Sequence, residues 1–150
     1  LFFVILFIGG CAGSTGGGIK IVRHQLLVRN SFSELRRLIH PRAVIPVRFN
    51  NTAVSPEIIS NILAFFLFYI GIFAASSLVM SLIGLDLPSA MGAVATSLGN
   101  VGPGIASVGP TQNFAHINDF GKWFLSFLML LGRLELFTIL IIFSPAFWRR

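Results

Sequence analysis

The sequence NVGPG, residues 100–104, offers chemistry through its backbone rather than through its side chains. Small residues let carbonyl oxygens approach a ligand closely, and rings of such carbonyls can replace the hydration shell of a cation. An apolar helix that ends just before this stretch would direct its partially negative C-terminus toward the same point. The pattern therefore favours a path for a dehydrated cation. The alternative is a turn that only fills a gap between helices.

A second stretch, GGCAGSTGGGIK at residues 9–20, contains six glycines. A phosphate-binding loop of the form GxxxxGK[ST] would need lysine where Ile19 stands. We instead expect a broken membrane helix whose freed backbone groups line a cavity. Ser14 and Thr15 could hydrogen-bond this loose backbone. The alternative is a close contact between two helices through small residues.

Arg133 lies near the middle of the last apolar segment, two residues before Glu135. A charged side chain in hydrocarbon costs from about 3 to more than 10 kcal/mol, so Arg133 must face a partner or water. Two residues along a helix differ by about 200° in direction, so these two charges do not pair directly. We expect Arg133 to face a pore and to contact carbonyls of the glycine-rich stretch, as part of a gate. A purely structural buried ion pair is the alternative.

The composition restricts the class of protein. Of the 150 residues, 55% are hydrophobic and 11% are charged, and the mean hydropathy is +0.85. A soluble domain carries about 25% charged residues, so this chain cannot coat a water-facing surface. Its three histidines, His24, His40 and His116, are interpreted as loop residues without metal-ligand spacing. No nucleophile, base and acid come together, and we predict no enzymatic activity.

The apolar segments define the elements that must position these groups. Residues 57–83 and 121–147 are each long enough to cross about 30 Å of hydrocarbon. Between them, residues 88–98 form a helix of only about 15 Å, which must enter the membrane and turn back. Asp86 is a possible cap for this short helix. Residues 1–8 are the remnant of another apolar segment. Because the sequence begins in the middle of this segment, we predict that an N-terminal part is missing.

The charges indicate an orientation. Seven basic residues lie between the first and second apolar blocks: Lys20, Arg23, Arg29, Arg36, Arg37, Arg42 and Arg48. The segment 84–120 contains none. The chain is then expected to cross the lipid bilayer more than once. The positive-inside rule places its residues 24–55 and its C-terminus on the cytoplasmic side. The net charge of +6 is thus mainly a topology signal, and we predict no nucleic acid partner.

The order of span, half helix, glycine-rich strand and span resembles one M1-P-M2 repeat of the Trk/Ktr/HKT superfamily of potassium transporters, which is related to potassium channels. NVGPG is similar to the channel filter TVGYG: Val101, Gly102 and Gly104 match, whereas Asn100 and Pro103 depart from it. GGCAGSTGGGIKIVR and GRLELFT are similar to the glycine-rich break and the arginine-bearing last helix of the TrkH family of bacterial potassium uptake proteins.

The resemblance implies an all-α integral membrane fold with a re-entrant pore helix and a filter strand. The chain would be the C-terminal part of a TrkH-type protein. Residues 1–23 would end the third repeat and hold an intramembrane loop, 24–55 would be a basic cytoplasmic linker, and 56–150 would form the fourth repeat. In that repeat the filter is residues 99–104.

The implied function is potassium uptake across the bacterial inner membrane, with K⁺ as the transported ion and no bound cofactor. The filter residues would be Asn100, Val101, Gly102, Pro103 and Gly104, with K⁺ at the carbonyls of Asn100 and Val101. The gate residues would be Gly13, Ser14, Thr15, Gly16, Gly17, Gly18 and Arg133. The implied partners are the remaining repeats of the same chain, a second copy in a homodimer and a cytosolic TrkA-type nucleotide-binding subunit.

Two alternatives to a channel-like pore stay open at this point. One is a secondary transporter that couples K⁺ or Na⁺ movement to H⁺ or Na⁺, and the other is a membrane scaffold subunit that conducts no ions. K⁺ over Na⁺ selectivity does not follow from one filter strand, because it depends on the geometry of all four repeats.

Overall fold

The computed structural model describes residues 2–11, 13–14, 16–40, 47–49 and 52–134. Three predictions fall outside these residues. They concern Thr15 in the gate, Glu135 beside Arg133, and the last part of the span predicted for residues 121–147.

The described chain is mainly helical, in agreement with the predicted fold class. Its helices are α1 (Phe2–Ile5), α2 (Ile21–Ile39), α3 (Pro56–Leu82), α4 (Leu87–Gly99) and α5 (Asp119–Arg133). A 3₁₀ turn, Ala106–Val108, follows α4. Two short antiparallel strands, β1 (Arg48–Phe49) and β2 (Thr52–Ala53), lie between α2 and α3.

Helix α3 is the long apolar element of the fold. It has 27 residues and its most apolar window has a mean hydropathy of 2.4. At 1.5 Å per residue it is about 40 Å long, more than the hydrocarbon thickness of a bilayer. Ser55 occupies the N-cap position and Pro56 the first turn, where proline needs no amide hydrogen. Among the described residues it is the one helix that is long and apolar enough to cross a membrane.

Helix α4 is short and almost completely buried. Its 13 residues span about 20 Å, and it packs between α3 and α5. The N-terminus is capped as predicted, because Oδ2 of Asp86 accepts a hydrogen bond from the backbone N–H of Ser89 at 3.3 Å. Small side chains, such as Ala93 and Ser97, allow both neighbouring helices to approach it closely.

After α4 the chain turns back along the same helix. The backbone N–H of Gly104 donates to the carbonyl of Val108 at 2.9 Å. A Cβ atom placed on Gly92 would lie 2.9 Å from both the backbone N and O of Ile105. Backbone therefore packs against backbone at this point. The chain returns over about half the length of α4 between Asn100 and Ile105.

Helix α2 crosses one predicted boundary, and the position at which the chain leaves the membrane stays a prediction. It runs continuously through residues 23 and 24, where the sequence was divided into a membrane segment and a cytoplasmic linker. No proline interrupts the chain from Ile21 to Ile39, and Pro41 follows two residues after the helix ends. His24 accordingly lies in a helix and not in a loop. The guanidinium of Arg23 lies 4.1 Å from the ring centre of Phe65 on α3, which joins the two helices.

The glycine-rich stretch separates α1 from α2, as predicted for a broken helix. Its two ends lie side by side: the Gly9 N–H donates to the carbonyl of Ile19 at 2.9 Å, and the Ile21 N–H donates to the carbonyl of Gly10 at 3.2 Å. The described residues between them, 11, 13–14 and 16–18, lie outside regular secondary structure. We call residues 9–18 the glycine loop.

A substitution of Gly132 tests the close approach of α5 to α4. A Cβ atom on Gly132 would collide with the carbonyl of Leu98. We expect Gly132→Ala to lower the stability of the intact protein by about 1–3 kcal/mol, the usual range for overpacking. Thermal unfolding of the detergent-solubilised protein measures this change. Gly71→Ala is the control, because no described residue lies within 4 Å of a Cβ atom there. An equal loss of stability in both variants would contradict the packing.

Candidate functional site

The candidate site begins where α4 ends. Asn100 is the C-cap residue and has a left-handed backbone conformation, with φ 53° and ψ 39°. Its N–H donates to the carbonyl of Ser97 at 3.2 Å, and the N–H of Val101 donates to the carbonyl of Thr96 at 3.1 Å. Asparagine tolerates this conformation better than other residues with a Cβ atom, whereas a β-branched threonine does not. The backbone thus explains why this sequence departs from the channel filter at its first position.

The next residues present backbone to the surface. Gly102 has φ +102°, which favours glycine, whereas Val101 does not have a positive φ. The sign of φ therefore alternates from Asn100 to Gly102, and such alternation can direct successive peptide groups to one side. Val101, Gly102 and Pro103 are exposed, and Gly104 is buried. The exposed backbone lies at the C-terminal end of α4, where the negative end of the helix dipole favours a cation.

The opposite end of α4 carries a negative charge. Hydrogen bonding by the Ser89 side chain holds the pKa of the Asp86 carboxyl below its usual range. The Ser89 hydroxyl also accepts a hydrogen bond from the N–H of Ser107 at 3.1 Å, and the Ser107 hydroxyl lies 3.3 Å from Nε2 of His116. These contacts join the start of α4 to the segment that follows the predicted filter. A carboxylate at a helix N-terminus is stabilised by the positive end of the helix dipole, and the negative end of the dipole of α4 lies at Asn100.

The glycine loop touches the end of α4 directly. A Cβ atom on Gly17 would lie 2.7 Å from Nδ2 of Asn100 and 3.1 Å from the carbonyl oxygen of Gly99. A Cβ atom on Gly18 would lie 3.6 Å from Cα of Gly99. The structure therefore brings part of the predicted gate against the start of the predicted filter. It also shows that Gly99, assigned to the filter from the sequence, is the last residue of α4.

The other predicted gate residues lie differently. The Ser14 hydroxyl accepts a hydrogen bond from the Gly16 N–H at 3.1 Å, so it stabilises the loop itself. Among the described residues, nothing lies within 4 Å of a Cβ atom placed on Gly13. Arg133 is exposed in the last turn of α5, and in the part of the chain that the structure describes its side chain makes no hydrogen bond or ion pair. Its contact with the loop carbonyls stays a prediction.

Two residues at this junction were not singled out from the sequence. The side-chain amide of Asn100 donates from Nδ2 to the carbonyl of Met129 on α5 at 3.0 Å. Gly132, one turn further along α5, leaves room for this amide, because a Cβ atom there would lie 3.1 Å from Nδ2. An isolated glycine in an apolar helix is a known sign of close packing, so Gly132 carried a usable signal. The Met129 contact is made by its backbone, so its residue type carried none.

A cavity of about 340 Å³ borders Gly102. It lies between α4, α5 and Phe114, and polar groups from Thr96, Lys122 and Ser126 line part of its wall. Within the described residues, nothing lies within 4 Å of a Cβ atom placed on Gly102. A substitution of Gly102 would therefore act through backbone strain rather than through collision.

The comparisons with known proteins identify the family of this chain. The family model described as "TrkH: Cation transport protein" matches residues 1–150. The chain belongs to the TrkH family. The Trk system potassium uptake protein TrkI of Halomonas elongata is 43% identical over 150 residues, which are 99% of this chain and 30% of that protein. The Salmonella typhimurium protein TrkH is 46% identical over 143 residues, which are 95% of this chain and 29% of that protein.

A solved structure of a TrkH-family protein has the same fold. The crystal structure of the potassium transporter TrkH from Vibrio parahaemolyticus matches with a TM-score of 0.88 at 43% identity, over 98% of this chain and 31% of that chain. This match confirms a helical membrane fold, and membership in a family of transport proteins agrees with the prediction that the chain is not an enzyme. The chain spans about 30% of the length of the TrkH-family relatives that it matches.

Proposed function

We propose that this chain is part of a potassium uptake protein of the bacterial inner membrane, and that residues 100–104 form one part of its ion filter. The observation that carries the proposal is the end of α4. A buried helix too short to cross a bilayer ends at a left-handed Asn100, and exposed backbone returns from there along the same helix. Irregular backbone at membrane depth is tolerated only where it is packed in protein or lines a water-filled path.

The three last helices correspond to one M1-P-M2 repeat in this proposal. Helix α3 is the first span, α4 is the re-entrant pore helix, and α5 begins the second span. Helices α3 and α4 begin and end within one residue of the predicted positions, and α5 begins two residues before the predicted span. Within the described residues, however, α5 ends at Arg133, whereas the span was predicted to continue as one helix to residue 147. The repeat would be the fourth of four in one chain, so this segment supplies a quarter of the filter, and α1 with the glycine loop ends the third.

The carbonyls of Asn100 and Val101 perform the chemistry. They replace water around a dehydrated K⁺, and the C-terminus of α4 adds a negative field at the same point. The relatives bear the names of potassium uptake proteins, which supports K⁺ as the ion. Coupled transport would favour a titratable group at the site. In the described residues, Asn100 makes its contacts with backbone groups, and the titratable Lys122 beside Gly102 pairs with Asp119. We therefore favour a channel-like path over a coupled transporter.

The glycine loop and Arg133 form the gate in this proposal. The loop lies against the start of the filter through Gly17, so a small movement there alters access to the path. The protein works as a homodimer, and the basic residues of α2 face the cytoplasm. There they dock a TrkA-type nucleotide-binding subunit.

Gly102→Ala in the full-length protein tests the filter. The added methyl group enters open space at a positive φ, so it costs about 1–2 kcal/mol of backbone strain. We expect K⁺ flux into proteoliposomes to fall about tenfold or more, since 1.4 kcal/mol corresponds to a factor of ten. The flux ratio of Rb⁺ to Na⁺ should fall with it.

Gly84→Ala is the matched control for this experiment. Gly84 has φ +115° and equally open space, and it lies after α3, away from the proposed filter. Both variants should lose similar thermal stability, and Gly84→Ala should keep normal flux and ion preference. Equal flux in the two variants would rule out a special role for Gly102.

Arg133→Ala in the full-length protein tests the gate. Removing the positive charge from the path should raise basal K⁺ flux several-fold, because the charge opposes cation passage. Arg48→Ala is the control, because it removes an equal charge from an exposed position of strand β1, away from the proposed filter and gate, and it should leave basal flux unchanged. Unchanged basal flux and unchanged regulation in Arg133→Ala would exclude the gating role.

A further inference from the structure

The side chain of Asn100 lies between three elements that the proposed function treats separately. Its amide donates to the Met129 carbonyl on α5, and the backbone of Gly17 in the glycine loop lies against its other side. Its own backbone caps α4 and begins the exposed strand. We propose that Asn100 is a positioning residue that couples the glycine loop and α5 to the first carbonyl of the filter. The inference rests on the proposed function and adds to it a mechanical link between gate and filter.

The backbone of Asn100 needs support because its conformation is costly. For a residue with a Cβ atom, the left-handed conformation is populated roughly tenfold less than ordinary backbone conformations. Asparagine reduces this penalty without removing it. The two capping hydrogen bonds involve the N–H groups of Asn100 and Val101. They restrain the end of the helix but make no use of the Asn100 side chain. The hydrogen bond from the Asn100 side-chain amide to α5 is therefore an additional restraint on the peptide group that carries the first filter carbonyl.

The α5 end of this link lies next to the predicted gate arginine. Met129 precedes Arg133 by four residues, so its carbonyl is the acceptor for the Arg133 amide in a regular α-helix. A carbonyl oxygen has two lone pairs and can accept from both the helix and Asn100. Gly132 lets α5 approach the end of α4 closely enough for this bond. Movement of the Arg133 turn would thus change the hydrogen bond that Asn100 makes.

The loop end of the link is a contact without spare room. A methyl group on Gly17 would lie 2.7 Å from Nδ2 and 3.1 Å from Cβ of Asn100, closer than side chains normally approach. Gly17 is itself buried, whereas Gly13 and Gly16 are exposed. An inward displacement of the loop at Gly17 must therefore displace the Asn100 amide. Packed contacts of this kind have few intermediate arrangements, so small displacements can switch them between discrete states.

Two substitutions of Asn100 in the full-length protein test the restraint. Asn100→Gly keeps the left-handed cap and removes the amide, and Asn100→Asp keeps the size of the side chain and removes the donor. We expect the flux ratio of Rb⁺ to Na⁺ to fall about fivefold in both variants, the change that corresponds to one lost neutral hydrogen bond. Thermal unfolding should change little in Asn100→Gly, because glycine is a good C-cap. An unchanged flux ratio in both variants would overturn the proposal.

A double-mutant cycle tests the coupling to the loop. Gly17→Ala should lower the flux ratio in the wild-type background, because its methyl group pushes on the amide. In the Asn100→Gly background most of this effect should disappear, and only the contact with the Gly99 carbonyl at 3.1 Å remains. Gly13→Ala is the matched loop control, and its effect should add to that of Asn100→Gly, because nothing lies within 4 Å of its Cβ position. Additive effects for Gly17 as well would refute the coupling.

The same measurements separate this inference from the proposed function. If the wild-type protein shows no preference for Rb⁺ over Na⁺, or if Gly102→Ala leaves flux unchanged, the filter itself is refuted. A second outcome is that both of those results support the filter, whereas the Asn100 and Gly17 variants keep the wild-type flux ratio of Rb⁺ to Na⁺ and their effects add. In that case only the link between gate and filter is refuted.

Discussion

The structure depends on backbone-to-backbone packing at the C-terminal end of α4. The glycine loop approaches this end through Gly17, and α5 approaches it through Gly132. In both places a methyl group added to the glycine would collide with the neighbouring segment of the same chain. Because hydrophobic attraction between helices is weak in a membrane, such close contacts and hydrogen bonds supply much of the driving force for association. The small residues of α4 extend this packing along its length, so that α4 is buried between α3 and α5.

This packing has a direct chemical consequence. A short helix buried in protein can end inside the membrane, because its terminal groups find partners there or line a path. At the end of α4 the left-handed Asn100 reverses the chain, and Gly102 continues the turn with a second positive φ. The carbonyls released by this reversal lie where the helix dipole is negative. The cation site that we propose therefore follows from how the helix ends, and the proposal requires no acidic side chain.

Much of this arrangement was predictable from the sequence, because length and hydropathy decide the class of each element. The ends of α3 and α4 lie within one residue of the predicted positions, and the Asp86 cap is present. The helical path of α2 through residues 23 and 24 was not predicted, because positive charges signal topology and do not mark helix ends. Contacts of Asn100 with Met129 and Gly17 were not predictable, because they join a side-chain amide to backbone atoms far away in the sequence. The departure from the channel pattern at Asn100 became interpretable only from its φ angle.

The central claim is that the carbonyls of Asn100 and Val101 bind the transported ion. The most direct test is a crystal structure of the full-length protein in which Tl⁺ replaces K⁺, with the ion located by its anomalous scattering. The account predicts a peak in direct contact with the carbonyl oxygens of these two residues. Strong Tl⁺ peaks elsewhere in the protein, with none along residues 100–104, would contradict it.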